Sequence, residues 1–439
     1  MITTSLGPAA VAIWLHSRLG VERDECGESS MRSVSAATAA SFSLAALAWL
    51  PLIAHGQDDL PRDGDDRPVL GELPLAPLEL YYANPPGVTV ETFLEGLDVV
   101  WGLEFAPDGR LFLTEKSGRI RVTSPDGTLD PTPWATLNDV NAEIRERGLF
   151  GLTLHPEFPE EPWVYVMYAY DIDGDRTANR VSRFREVNGR GAEEEILLDD
   201  IPGATTHNGG RLRFGPDGML YLGTGDARDR RRAQNLENLG GSILRLTPEG
   251  EVPDDNPWPG NPIWAYGFRN TTGLAFRPND GTLFAADHGP TVEWEPRIGA
   301  YDELNIIEKG ANYGWPLVVG APGDPSYADP ILSWIPSVPP GDLIFHNGDL
   351  FLSALWSEAL IRIQFDDPAN PNHVTGVERW FNTQVWRDGV LPESVYGRLR
   401  ALAVGPDGAL YLGTTNRDGR LEPRPNDDRV LRIVIEDGG

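Results

Sequence analysis

Cysteine is nearly absent. Among 439 residues there is one, Cys26. A lone thiol builds no internal disulfide framework and no Cys-ligated zinc site. Positive charge is scarce as well: Lys and Arg total 37 against 66 Asp and Glu, a formal net charge of -29 at pH 7. Nucleic acid and anionic lipid surfaces are poor partners for such a chain. Acidity by itself does not establish cation binding, and most of these carboxylates read as a solvated surface. Helical periodicity is missing too, apart from a brief stretch near Arg230–Leu239. No Gly-rich phosphate cradle follows a strand, so LENLGG at 236–241 is too weak for a nucleotide loop.

Long apolar runs are limited to one, SAATAASFSLAALAWLPLIA at 35–54, broken by Ser, Thr and Pro51. Its length and interruptions argue against a membrane span. Arg32 before it and Ala54-His55-Gly56 after it suit a secretory signal peptide, with Met31 as the expected start and residues 1–30 as an upstream extension. Residues 57–87, rich in Asp, Pro, Gly and Arg, are expected to be a disordered lead-in. The folded domain is expected over residues 88–439.

What the chain does have is a repeated phrase. WGLEFAPDGRLFLTEKSGRIRV from Trp101, GRLRFGPDGMLYLGTGD from Gly210, GLAFRPNDGTLFAADHG from Gly273 and LRALAVGPDGALYLGTT from Leu399 each join two alternating strands by a Pro-Asp/Asn-Gly turn. Two looser copies begin at Gly151 and Asp342. Repeats of this size bury their faces against one another. Six units predict an all-β fold, a six-bladed β-propeller. A seven-bladed ring or paired sandwiches rank lower, since sandwiches would not need the same turn phrase at matching places. The last strand, DDRVLRIVI, is expected to latch the ring by closing the first blade.

Loops of a propeller converge on its axis, so polar residues distant in sequence can share one site. His207 precedes Asn208, Gly209 and Gly210, where the backbone can pass closely. Asp226 follows the facing strand and can orient an imidazole. A loop histidine bonded to backbone is an equal alternative. Glu146 and Arg147 precede an apolar strand and read first as ordinary blade construction, with an axial role as the alternative. His155 beside Pro156 reads as structural. Arg228, Arg230, Arg231 and Arg232 form either a solvated loop of local ion pairs or a basic wall for an anion. Arg269 has the donor fork suited to a carboxylate or quinone oxygen. Oxygen donors, including the carbonyls of Gly289 and Pro290, favour calcium over zinc, with His288 an additional metal-ligand candidate. Tyr313 and Trp315 read as packing residues. Arg398 and Arg400 share a strand face, which is costly unless acids or an anion oppose them.

The ordered phrases ERGLFGLTLHPEF, HNGGRLRFGPDGMLYLGTGD, GNPIWAYGFRNTTGLAF, DHGP, DELNIIEKGANYGWP and GRLRALAVGPDGALY together resemble the soluble quinoprotein glucose/sorbosone and aldose sugar dehydrogenases, over about Val88 to Ile435. The resemblance implies a six-bladed propeller that binds pyrroloquinoline quinone (PQQ) and calcium, oxidises aldoses to lactones, and passes electrons to an external acceptor. It implies His207 as general base with Asp226 beside it. Glu146, Arg269, Asn270, Arg398 and Arg400 would surround the cofactor. Gly289 and Pro290 would hold the cofactor calcium, with Asp302 near it. Glu303 and the Tyr313 carbonyl would belong to a separate structural calcium site. Two positions depart from the glucose-oxidising members. Trp356 stands where they carry a lysine, and Glu146 where they carry an amide. The expected partners are a small aldose and an electron acceptor, with no nucleic acid and no membrane span; monomer and homodimer both stay open. The expected location is periplasmic or secreted. A non-enzymatic carbohydrate- or protein-binding propeller and a calcium-dependent lactone hydrolase are the alternatives.

Overall fold

The computed structural model describes residues 68–76, 78–143, 145–173, 176–290, 301–335, 337–382 and 394–436. The expected signal peptide and upstream extension lie outside these residues. Among the described residues no helix is long and apolar enough to cross a membrane.

Each repeat folds because its turn satisfies itself. In the first, Gly109 N–H donates to Ala106 O at 2.9 Å, Gly109 takes φ +89°, and Asp108 Oδ1 accepts from Arg110 N–H. Asp217 and Asp407 repeat that Asx contact in their own turns. The flanking strands pair antiparallel and carry two further strands outward.

Six sheets result. The first holds Val100–Phe105, Leu111–Glu115, Arg119–Val122 and Ala135–Thr136. The second holds Leu149–Leu154, Trp163–Asp173, Arg176–Val187 and Arg190–Pro202. The third holds Leu212–Phe214, Leu220–Gly223, Ser242–Leu246 and Ile263–Tyr266. The fourth holds Thr271–Phe276, Leu283–Asp287, Asp302–Ile306 and Leu332–Trp334. The fifth holds Pro340–His346, Asp349–Ala354, Leu360–Gln364 and Gly376–Trp380. The sixth holds Leu399–Val404, Leu410–Thr414, Val430–Ile435 and, outermost, Val88–Leu94. The first strands of successive sheets touch in order, and the sixth touches the first, so the sheets are the blades of a six-bladed β-propeller.

The core is divided among the blade interfaces. One apolar cluster unites Phe112, Trp134, Leu152 and Val166 between the first two blades; another unites Phe351, Leu360, Leu402 and Leu431 between the last two. Where inner strands meet, side chains give way to backbone. Gly151 N–H donates to Gly210 O at 3.0 Å, and a Cβ at 151 would lie 2.7 Å from that oxygen.

Two expectations are corrected. The last strand does not close the first blade: Val430–Ile435 is third in its own blade, and the N-terminal Val88–Leu94 pairs antiparallel with it. The ring is still closed between its two ends. The lead-in is also structured in part. Glu79–Tyr82 adds a parallel fifth strand beside Gly376–Trp380, and Val69–Leu70 pairs with Val318–Val319. Leu73 of that segment packs with Ala233, Tyr301, Trp315 and Val319. Composition concealed this, because the segment orders against strands supplied by distant parts of the chain.

Candidate active site

The inner strands carry an irregularity at matching places. Register shifts occur at Trp101, at Phe150–Gly151, at Thr272, at Gly341 and at Arg400. Bulges re-aim side chains. Arg211 precedes the short inner strand of the third blade, is fully buried, and donates to the carbonyls of Thr272 at 3.1 Å and Gly341 at 2.9 Å. Its charge is met by buried Asp342, Nε to Oδ1 2.9 Å. Trp101 lies against two guanidinium groups, Arg211 at 4.6 Å and Arg400 at 5.1 Å.

His207 stands on the loop that enters the third blade, with φ +61°. Its N–H donates to Glu146 Oε2 at 3.1 Å and its carbonyl accepts from Ala227 N–H at 3.0 Å. Gly210 beneath it leaves no room for a side chain: a Cβ there would lie 2.6 Å from the Cβ of Phe150. His207 Nδ1 is 2.8 Å from Asp226 Oδ1. Asp226 is buried, and burial alone would raise its carboxyl. The His207 ring, Arg269 and the Trp315 indole N–H outweigh that and hold it below the usual range. Asp226 also accepts from Arg228 N–H at 2.8 Å and from Trp315 Nε1–H at 2.9 Å. An ionised acceptor at Nδ1 requires the proton on that nitrogen, which leaves Nε2 as the basic position.

Glu146 joins this pair to another blade. Its Oε1 takes Arg420 Nη2 at 2.7 Å. Burial raises its carboxyl, yet Arg420, His207 and His288 together bring it below the usual range. Arg269 and Asn270 turn the corner between the third and fourth blades, and both N–H groups donate to Asp287 at 2.9 Å. Asn270 spends its side-chain oxygen on Gly209 N–H at 2.9 Å, so it holds the His207 loop. The Arg269 guanidinium lies 5.7 Å from the Trp315 ring centre.

Arg398, just before the strand Leu399–Val404, and Arg400 within it differ. Arg398 is neutralised by Asp418, Nε to Oδ2 2.8 Å, and donates to Leu355 O at 3.2 Å. Among the described residues Arg400 has no such carboxylate, its buried Nε lacks a hydrogen-bond acceptor, and burial lowers its pKa to about 10. A buried guanidinium in that condition fits an anionic group. Trp356, next to the carbonyl that receives Arg398, is exposed.

A separate small cleft is lined by Asp287, Gly289, Pro290, Glu303 and Tyr313, together with His288, Tyr301 and Trp315. Gly289 and Pro290, expected at the cofactor calcium, and Glu303 and Tyr313, expected at a separate structural calcium, all line this cleft. Burial raises Asp287 to about 6 and Glu303 to about 8, and the Asp287 charge adds to the rise at Glu303. Paired carboxylates of raised pKa beside backbone carbonyls fit a hard divalent cation. Among the described residues no three His, Cys, Asp or Glu side chains converge on one point, so carbonyl oxygens would complete the set. Asp302 does not line this cleft. It accepts from Gly289 N–H at 2.9 Å and Val338 N–H at 2.7 Å, and so fixes the Gly289 turn.

Other candidates resolve locally. His288 Nε2 lies 2.7 Å from Pro340 O, and burial lowers its pKa to about 3. His155 packs between the Tyr165 and Phe214 rings. In the arginine cluster, Arg231 pairs with Asp229, and Arg232 donates to the carbonyls of Asp226 and Ala227. Lys116, Asp418 and Arg420 were missed by sequence reasoning. Lys116 lies within electrostatic reach of Asp418, Arg400 and Glu146, and burial lowers its pKa. No local motif marks these three; ring closure alone brings them here.

A sequence profile of the glucose/sorbosone dehydrogenases matches residues 97–423. The chain belongs to the glucose/sorbosone dehydrogenase family. It is an oxidoreductase of the glucose/aldose sugar dehydrogenase family. It is 31% identical to the aldose sugar dehydrogenase YliI of Escherichia coli, over 77% of this chain and 93% of that one. It is 28% identical to quinoprotein glucose dehydrogenase B of Acinetobacter calcoaceticus, over 58% of each. Among solved structures, the PQQ-bound aldose sugar dehydrogenase of Streptomyces coelicolor superposes with TM-score 0.66 at 32% identity, over 80% of this chain and 99% of that one. A putative glucose dehydrogenase of Thermus thermophilus gives TM-score 0.71 at 44% identity, over 79% of this chain and all of the other.

Proposed function

We propose that the protein is an exported PQQ- and calcium-dependent aldose dehydrogenase that oxidises the anomeric carbon to the lactone. The observation that carries the reading is the His207–Asp226 pair, 2.8 Å apart, whose geometry leaves Nε2 basic. The quinone, when bound with calcium, supplies the two-electron acceptor for the hydride lost from the sugar. His207 Nε2 takes the proton of the anomeric hydroxyl, and Asp226 stabilises the imidazolium that results. Arg400, with Lys116 near, offers positive charge to an anionic cofactor; Arg398 sits beside them with its charge already met by Asp418. The carbonyls of Gly289 and Pro290 are the donors to the cofactor calcium in this reading, and Glu303 and the Tyr313 carbonyl are donors to a structural calcium. Export rests on the apolar segment at 35–54.

The test adds PQQ and calcium to the purified protein and follows dye reduction over an aldose panel. His207→Ala should lower turnover by about 10²–10⁴-fold, the usual worth of a general base, with the melting transition retained. Absence of both quinone binding and dye reduction overturns the proposal. Sugar binding without quinone points to a carbohydrate-binding propeller, and lactone hydrolysis without PQQ points to a hydrolase.

A further inference from the structure

Trp315 has a polar function that its burial conceals. It is 6% exposed. Its Nε1–H donates to Asp226 Oδ2 at 2.9 Å, on the carboxylate oxygen that His207 does not use. Its backbone is held on two sides: the N–H donates to Gly267 O at 3.0 Å and the carbonyl accepts from Gln234 Nε2 at 2.7 Å. Gln234 is itself locked by paired amide bonds with Asn312, 2.9 and 2.8 Å.

The N-terminal segment covers this arrangement. Val69 N–H donates to Leu317 O, Gly71 N–H to Val319 O and Glu72 N–H to Ala321 O, all at 2.8 to 2.9 Å. Ala321 N–H returns a bond to Glu72 O at 2.8 Å. Leu73 then packs in the cluster that contains Trp315. The fit is close enough that a Cβ at Gly320 would lie 2.7 Å from Glu72 O.

We propose that Trp315 is a positioning residue that fixes Asp226, and through it His207, and that residues 69–73 hold Trp315 in place. This rests on the reading of His207 as the base. The indole N–H draws charge from Oδ2 and fixes the carboxylate plane, so Oδ1 keeps its direction toward Nδ1. The charged groups facing the pair are Glu146 at the His207 N–H, with Arg269 and His288 within electrostatic reach, while Arg232 Nη1 donates to the Asp226 carbonyl and the Arg228 main-chain N–H to its carboxylate.

The experiment replaces Trp315 by Phe in the full chain. Nuclear magnetic resonance follows the His207 ring against pH, its signal assigned by loss in His207→Asn. Without the N–H donor the carboxylate charge concentrates on His207. The bond is made in both protonation states of the ring, so its worth of about 1.5 kcal/mol sets a ceiling of about one pH unit on the upward move of the His207 titration. Turnover should fall by about tenfold with KM for the sugar unchanged. Leu73→Ala, which keeps the indole, should give a smaller shift in the same direction, and it decides the question if Trp315→Phe fails to fold. A folded variant whose His207 titration matches that of the parent overturns the proposal. If the titration shifts while the parent oxidises no aldose, positioning stands and the enzymatic reading falls.

Discussion

Asp226→Asn isolates the charge that orients His207. Both carboxylate oxygens accept from fixed donors: Oδ1 from His207 Nδ1 and Arg228 N–H, Oδ2 from Trp315 Nε1–H. An amide brings one NH2 into a site built wholly of donors. Turned toward Trp315 it opposes an indole N–H, leaving a buried donor unsatisfied at about 1–3 kcal/mol. Turned toward His207 it donates to Nδ1, moves the ring proton to Nε2 and removes the base. The first arrangement also loses the stabilisation of imidazolium, about 1.5–3 kcal/mol for a charge-assisted bond. At about 1.4 kcal/mol per decade the lost stabilisation of imidazolium corresponds to about 10- to 100-fold in rate, and the unsatisfied donor falls on stability. The second arrangement extends the loss toward about 10⁴-fold, the known cost of a wrong tautomer in a histidine–aspartate pair. The assay is steady-state dye reduction by protein loaded with PQQ and calcium, with KM measured alongside and fold checked by thermal melting. A variant that folds and turns over within twofold of the parent refutes the role assigned to Asp226.

Asp342→Asn should destabilise the fold by about 3–5 kcal/mol, because Arg211 and Asp342 are both fully buried and the survivor keeps an unmet charge. Thermal melting reads this directly, and an unchanged transition contradicts the assignment. Glu104 is half-buried, and its desolvation raises its carboxyl above the ordinary value. The folded protein then binds the proton more tightly than the unfolded chain. Its contribution to stability is therefore present at low pH and lost as pH rises from about 4.5 through the folded pKa. Glu104→Gln should flatten the melting temperature against pH in that window, and parallel curves count against it. Lys116 and Lys309 are the two lysines of the chain. Lys116→Gln should weaken PQQ binding by about tenfold, roughly one close charge contact, read by titration of cofactor absorbance; equal affinity removes Lys116 from the site.

The repeat was legible because each unit is local. The Pro-Asp-Gly turns carry their own donors and acceptors, and alternation at period two needs no distant partner. The blade number and the His207–Asp226 pairing followed from those phrases in order. The lead-in was misjudged because a polar, Pro-rich segment shows no core of its own; Leu73 finds one only against Trp315 and Val319. Trp315 reads from the sequence as packing, which it is, but its N–H direction depends on the Asp226 loop of another blade.

The sequence alone determined the all-β architecture and the residue types at the axis, since both are written in short-range patterns. Only tertiary structure decided how charge is shared there. Arg398 and Arg400 look alike two residues apart, yet Asp418 neutralises one, while the other keeps a buried nitrogen without an acceptor among the described residues. Electrostatic compensation depends on distance in space, and closing a ring brings together groups that chain order keeps far apart.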